Sequence, residues 1–283
     1  MRDRRVKNIS GLNQIMIDIK PHRCDSDVYI NSLVDVTNLT SYMKKVKKVD
    51  SNITYFHAFV TAIAKTIYNR PKLNYYVRKR HMYEHKSIVI SFVAKISFED
   101  NSREIMLLIP IDKDDNIFSI SKKINDKVNY IRNKKSGNIK NKGANSAIDI
   151  LGKMPNILRI PIVGILKLCD KYGLLPSSLI QDNLYYSSMI VSNLGSIKCG
   201  AIYHNITDFG TCSGLMTMGE IKNIEVINED ESKSVRKVCE FGVNLDERIA
   251  DGYYFVKSLK LLEYILDNPK MLEENCDKEI NIG

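Results

Sequence analysis

The stretch that decides how this chain is read is Asp246-Glu247-Arg248-Ile249-Ala250-Asp251-Gly252, DERIADG. It follows VCEFGVNL (238–245), whose apolar residues recur at every second position, as in a half-buried strand. It precedes YYFVKSLKLLEYIL (253–266), which puts Phe255, Leu259, Leu262 and Leu266 on one helical face, with Pro269 beyond. Asp246, Glu247, Arg248 and Asp251 are therefore crowded at a strand-to-helix junction. Such a junction is either a solvated turn or an active site.

Working outward, YFHAFVTAIAKTIYN (55–69) aligns Phe56, Phe59, Val60, Ile63 and Ile67 on a helix that Pro71 ends. SIVISFVAKI (87–96) reads as a strand. EIMLLIPI (104–111) reads as another, expected to be buried on both faces. FSISKKINDKVNYIRN (118–133) returns to helical spacing, and KKSGNIKNKGANS (134–146) is a polar linker. Residues 147–180 are apolar but interrupted by Pro155, Pro161 and Pro176. LYYSSMIVSNLG (184–195) is a strand ending in a turn. CSGLMTMGEI (212–221) and SVRKVCEFGVNL (234–245) are strands separated by the acidic turn NEDES. Helices and strands interleave without strict alternation. The expected class is therefore α/β in the α+β, two-layer sense: a mixed sheet with helices packed against it.

The 283 residues are enough for one large domain or two small ones, and 44% apolar with 27% charged is ordinary for a soluble globular protein. No basic-then-apolar leader and no run of about 18 apolar residues is visible, so neither a signal peptide nor a membrane span is expected. Six cysteines without a CxxC pair read as free thiols in a reducing cytoplasm. The net charge of +9 suits nucleic acid, an acidic membrane, a phosphate-bearing partner, or a merely well-solvated surface. Zinc-finger and RNP patterns are missing, which argues against nucleic acid. Dinucleotide, P-loop, GxSxG and HExxH motifs are also missing. The five histidines lack metal spacing, and His81 and His85 sit in what looks like an exposed hairpin or loop. No metal is expected.

The junction resembles a known signature. HxxxDG at a strand-to-helix boundary marks chloramphenicol acetyltransferase, and DHRxxDG marks the catalytic domain of the 2-oxo acid dehydrogenase dihydrolipoyl acyltransferases. Asp246, Arg248, Asp251 and Gly252 fall in that frame. Other segments match in the same order. IDIKPHR (17–23) is similar to VDISxxHR, LVDVTNL (33–39) to VDVTxL, and SSMIVSNLGSIKCG (187–200) to the TISNLG strand and turn. TMGEI (217–221) falls where the family has LGVGxI. The resemblance runs from about Asp18 to Pro269, with an apolar insertion at about 136–180.

It implies a chloramphenicol acetyltransferase-like fold over 1–283. The implied activity is transfer of an acyl group between coenzyme A and a hydroxyl or thiol acceptor, a small molecule whose identity the sequence does not give. The implied assembly is a homotrimer with sites between subunits. No lipoyl domain or Ala/Pro-rich linker precedes the core, which suggests a free-standing member. By the same resemblance Ser192 is the oxyanion donor, and Asp251 is a structural carboxylate paired with Arg23. Glu247 occupies the position of the family's catalytic histidine. A glutamate of ordinary pKa is a weak base at pH 7 unless burial raises that value. Three readings stay open: Glu247 is the base, His22 or His204 supplies the imidazole, or the site is dead and the fold binds coenzyme A or a protein partner. The insertion is read first as a lid over the substrate channel or a subunit contact, and less readily as a membrane-surface helix.

Overall fold

Period-two alternation along the strands sets the two faces of the sheet, and those faces decide where a site can lie. The computed structural model describes residues 3–95, 104–133 and 143–282. Its strands are β1 (Arg4–Arg5), β2 (Asp27–Asp35), β3 (Tyr75–Arg78), β4 (His81–Glu84), β5 (Ile88–Lys95), β6 (Glu104–Ile111), β7 (Met189–Asn193), β8 (Gly214–Ile227) and β9 (Lys233–Asp246). Its helices are α1 (Gly11–Ile19), α2 (Thr37–Val49), α3 (Tyr55–Asn69), α4 (Ile117–Asn133), α5 (Gly143–Gly152), α6 (Asn156–Tyr172), α7 (Ser177–Ile180) and α8 (Gly252–Asp267). Six strands form a mixed sheet in the order β2-β9-β8-β7-β5-β6, in which β7 runs parallel to β8 and β5. The other three form a small antiparallel sheet, β1-β4-β3.

Cys239, Phe241, Val243 and Leu245 of β9 face the core beneath α2, α3, α4 and α8, together with Met216 and Met218 of β8 and Met189 and Val191 of β7. Phe255, Leu259, Leu262 and Leu266 of α8 complete that core, as their spacing requires. The alternate residues of the same strands, Glu240, Gly242, Asn244, Asp246, Thr217 and Ser192, project from the opposite face. Residues 199–206 cross this second face on side-chain acceptors. Ala201 N donates to Glu240 Oε2 (3.2 Å), Ile202 N to Thr217 Oγ1 (3.2 Å) and His204 N to Asn244 Oδ1 (3.3 Å). The crossing is so close that a Cβ at Gly242 would lie 2.7 Å from the Ile202 carbonyl oxygen. Much of this face stays open, with Tyr29 and Leu33 about half exposed (48% and 53%).

Several expectations need correction. EIMLLIPI forms β6, but as an edge strand it alternates between buried and more exposed positions rather than being buried on both faces. Pro161 does not interrupt the insertion. It lies inside α6, which gives up one backbone hydrogen bond there. His85 is not exposed: its ring packs on Tyr76 at 4.6 Å between centroids, and Nε2 lies 3.3 Å from the Thr211 carbonyl oxygen. The first nine residues of the polar linker, 134–142, lie outside the described residues, and its last four open α5.

Helix α3 begins with a capping box in which Thr54 N donates to His57 Nδ1 at 3.1 Å. An Nδ1 that accepts carries no proton, so the native state needs the neutral ring. Burial accordingly lowers the His57 pKa to about 4, against an opposing pull from Asp50. Between the ordinary value of 6.5 and about 4 the unfolded chain holds a proton that the folded chain does not. Stability therefore falls as pH drops through that window, by up to about 3 kcal/mol. Urea unfolding at pH 7 and pH 5 should show a smaller loss in His57→Gln than in the wild type; equal losses would contradict this assignment.

Candidate active site

The centre of the DERIADG junction is a buried carboxylate. Asp246, the last residue of β9, accepts from Arg248 Nε at 2.8 Å and Nη2 at 2.7 Å, a bidentate fork, and from the Arg248 backbone N at 3.1 Å. Arg248 Nη1 reaches back to the carbonyls of Lys20 (3.0 Å) and Pro21 (3.2 Å). On the other side of Asp246 lies Arg23, with Nε 3.9 Å from Oδ2. The Arg23 Nη atoms donate to the carbonyls of Thr207, Asp208, Gly210 and Val77, while its buried Nε makes no hydrogen bond. Burial pulls the Arg23 pKa down from its ordinary value, and Asp246 opposes the shift. One carboxylate thus stands between two buried guanidiniums, and these bind four separate chain segments.

This arrangement corrects the expected Arg23–Asp251 pair. Asp251 is exposed and caps α8, its Oδ1 accepting from Tyr254 N at 2.7 Å. The structural carboxylate is Asp246. The sequence carried both signals. Asp directly before a helical run is a preferred N-cap. Asp and Arg two residues apart at a strand end lie on one face and can pair.

Glu247 is about a third exposed (31%), and its Oε2 accepts from Lys20 Nζ at 2.9 Å. Oε1 has no hydrogen-bond partner among the described residues. The deep burial that the base reading asked for is missing. Lys20, which orients the carboxylate, was not singled out from the sequence.

Ser192 is not brought to Glu247 within the chain. It pairs with Thr217, whereas Glu247 follows Asp246 on β9, whose neighbour Leu245 pairs with Gly214. Five residue steps and two strand spacings put the two roughly 20 Å apart. His204 is exposed and contributes its backbone to the crossing segment. His22 is exposed and held by Asp208, at 2.5 Å from Nδ1 to Oδ2.

Beside the junction lies a cleft of about 540 Å³. Its walls are the end of α1 with Pro21–Arg23, the β3–β4 turn, α6, the 208–210 segment and Arg248. Asp170 of α6 closes one side. Buried, it meets Arg78 at 3.4 Å, accepts from Gly210 N at 2.9 Å, and takes a short hydrogen bond from the Tyr186 hydroxyl. Among the described residues no group of three His, Cys, Asp or Glu is placed to hold a metal ion, and no helix is long and apolar enough to cross a membrane.

The family model of the 2-oxoacid dehydrogenases acyltransferase (catalytic domain) matches residues 22–165, half of the chain. The chain belongs to this acyltransferase family. Solved structures share its fold. A probable dihydrolipoamide acetyltransferase from Listeria monocytogenes 4b F2365 superposes with TM-score 0.61 at 19% identity, over 98% of this chain and 97% of that one. The dihydrolipoamide acetyltransferase of Azotobacter vinelandii, in which a serine, a histidine and an asparagine were examined for catalytic roles, gives 0.62 at 13% identity over 94% and 93%. Chloramphenicol acetyltransferase gives 0.51 at 13% identity over 94% and 99%. No curated protein matches significantly in sequence. The expected fold class and family are thereby shown, and the chain is a transferase by family.

The corrected pairing separates two carboxylates of one motif. Asp246→Ala strands two buried guanidiniums and should cost on the order of 3–5 kcal/mol, whereas Asp251→Ala removes one helix cap at about 1 kcal/mol. Urea denaturation of both variants ranks them; equal losses, or the reverse order, would return the structural role to Asp251.

Proposed function

We propose that the protein transfers an acyl group from coenzyme A to a small hydroxyl- or thiol-bearing acceptor, with Glu247 as the base. The observation that carries this reading is the state of the Glu247 carboxylate at the family's histidine position. One oxygen is oriented by Lys20, and the other has no partner among the described residues. A base held by a second group while one basic atom stays free is the usual arrangement for activating a nucleophile.

In the proposed reaction the acceptor O–H or S–H gives its proton to Glu247, and the freed pair attacks the thioester carbonyl. The tetrahedral oxyanion accepts a hydrogen bond from the Ser192 hydroxyl. Collapse breaks the carbon–sulfur bond, and the departing thiolate recovers the proton from Glu247. Because Ser192 and Glu247 are far apart in one chain, the working unit is a homotrimer, with Ser192 supplied by a neighbouring copy across the open sheet face. The exposed Tyr29 and Leu33 of that face support such a contact. Arg23 and Asp246 act as positioning residues. The net charge of +9 suits a donor that carries phosphates. The thiols of six free cysteines suit a reducing cytoplasm, where we place the protein.

A second reading is favoured by one observation, the Lys20–Glu247 ion pair in a partly open setting. On that reading the chain binds coenzyme A or a protein partner without turnover. Release of thiol from acetyl-coenzyme A with a panel of hydroxyl and thiol acceptors distinguishes the two. Glu247→Gln, which keeps the shape and removes the basicity, should lower turnover by roughly 10²–10⁴-fold. Wild-type turnover no greater than that of Glu247→Gln, together with a gain in Glu247→His, would mean that the site has given up the reaction.

A further inference from the structure

The β3–β4 connection is a two-residue hairpin loop, Lys79-Arg80, and both residues adopt the left-handed conformation (φ 50° and 61°). Such a turn needs φ > 0 at both positions, and Asn-Gly fills it with little strain. A long basic side chain at each position is an unfavourable choice for folding, and strain of this kind is retained where function requires the side chains.

Both residues line the 540 Å³ cleft. The facing wall is α6, which brings Lys167 and Lys171 to the same space. Lys79, Lys167 and Lys171 form no ion pair among the described residues, whereas Arg80 Nη1 meets Asp18 Oδ1 at 3.4 Å. Lys79 Nζ instead lies 4.6 Å from the centre of the Tyr172 ring, which ties the hairpin to the end of α6. The two carboxylates in the lining are already engaged, Asp170 by Arg78 and Asp208 by His22 and the Arg23 backbone. Arg23 also lines the cleft, with its Nε turned to Asp246 at 3.9 Å. The cleft therefore carries an excess of cations and has the size of a small-molecule site.

We infer that this cleft, made by the strained Lys79-Arg80 turn and the insertion helix α6, binds a small molecule bearing a di- or polyphosphate group. Unpaired ammonium groups converging from two elements on one cavity match that chemistry. The site stands whether or not Glu247 is a base. The phosphate belongs either to the coenzyme of an acyl donor or to a separate phosphorylated metabolite.

Calorimetric titration of the full-length protein with inorganic pyrophosphate tests the inference, with sulfate at equal ionic strength as control. One saturable site per chain is expected, weakening as salt is raised. Lys167→Glu/Lys171→Glu should weaken it by about tenfold or more. Lys79→Asn/Arg80→Gly should weaken binding while raising Tm by roughly 3–6 °C, because the favoured turn pair relieves the strain. A merely structural turn would gain the stability and keep the affinity. Competition between pyrophosphate and coenzyme A assigns the site to the donor, and independent binding assigns it to another ligand. Failure of the wild type to bind pyrophosphate better than sulfate, or undiminished affinity in both variants, would overturn the inference. Acyl-transfer activity is not read in this assay, so a dead Glu247 leaves the result intact.

Discussion

The arrangement of the candidate site depends on one buried carboxylate. Asp246 ends the strand that runs through the middle of the core, and it is neutralised by Arg248 and flanked by Arg23. Taking a carboxylate and two guanidiniums out of water costs several kcal/mol per ion, so the cluster persists only because nearly every donor finds an acceptor. Those acceptors are carbonyls of residues 20–21, 77, 207–208 and 210. The price of burying the charges is thus offset by cross-linking segments distant in sequence. Three consequences follow. Lys20 is set beside Glu247, the 208–210 segment becomes a wall of the cleft, and the β3–β4 hairpin is held where its turn faces α6.

The two faces of the sheet divide the work. The helix-covered face carries the aliphatic and aromatic core and gives stability. The opposite face collects Ser192, Thr217, Asn244 and Asp246, with the 199–206 segment laid across part of it and the rest open. Gly242 has its reason here, since any side chain would meet the crossing backbone. Gly210, at φ 87°, is similarly forced: a Cβ there would collide with the Tyr185 carbonyl, and its own carbonyl accepts from Arg23.

Periodicity made the fold readable. The strand at 238–245, the helix of Phe255 to Leu266 and the helix at 55–69 are strong one-face patterns, and each lies where its spacing puts it. The family signature was likewise legible in residues 246–252. Pairing was harder to read, because partners are chosen by three-dimensional proximity. The carboxylate that meets Arg23 is Asp246 and not Asp251. The separation of Ser192 from Glu247 depends on strand order, which no local pattern encodes. Nothing in the local sequence marks Lys20 or the basic turn at 79–80, since left-handed strain and a shared cleft appear only once the backbone is placed. The insertion was misjudged at Pro161 because a helix can absorb one missing hydrogen bond.

In the proposed function the reacting groups come from two copies of the chain. Co-expression of Ser192→Ala and Glu247→Gln chains with different tags, followed by purification through both tags, isolates mixed trimers. Around a ring of three, every mixed trimer contains one junction at which an intact Glu247 meets an intact Ser192, so about a third of wild-type turnover should return while either variant alone stays near background. Mixed trimers, verified by native mass spectrometry, that are no more active than the single variants would contradict the account.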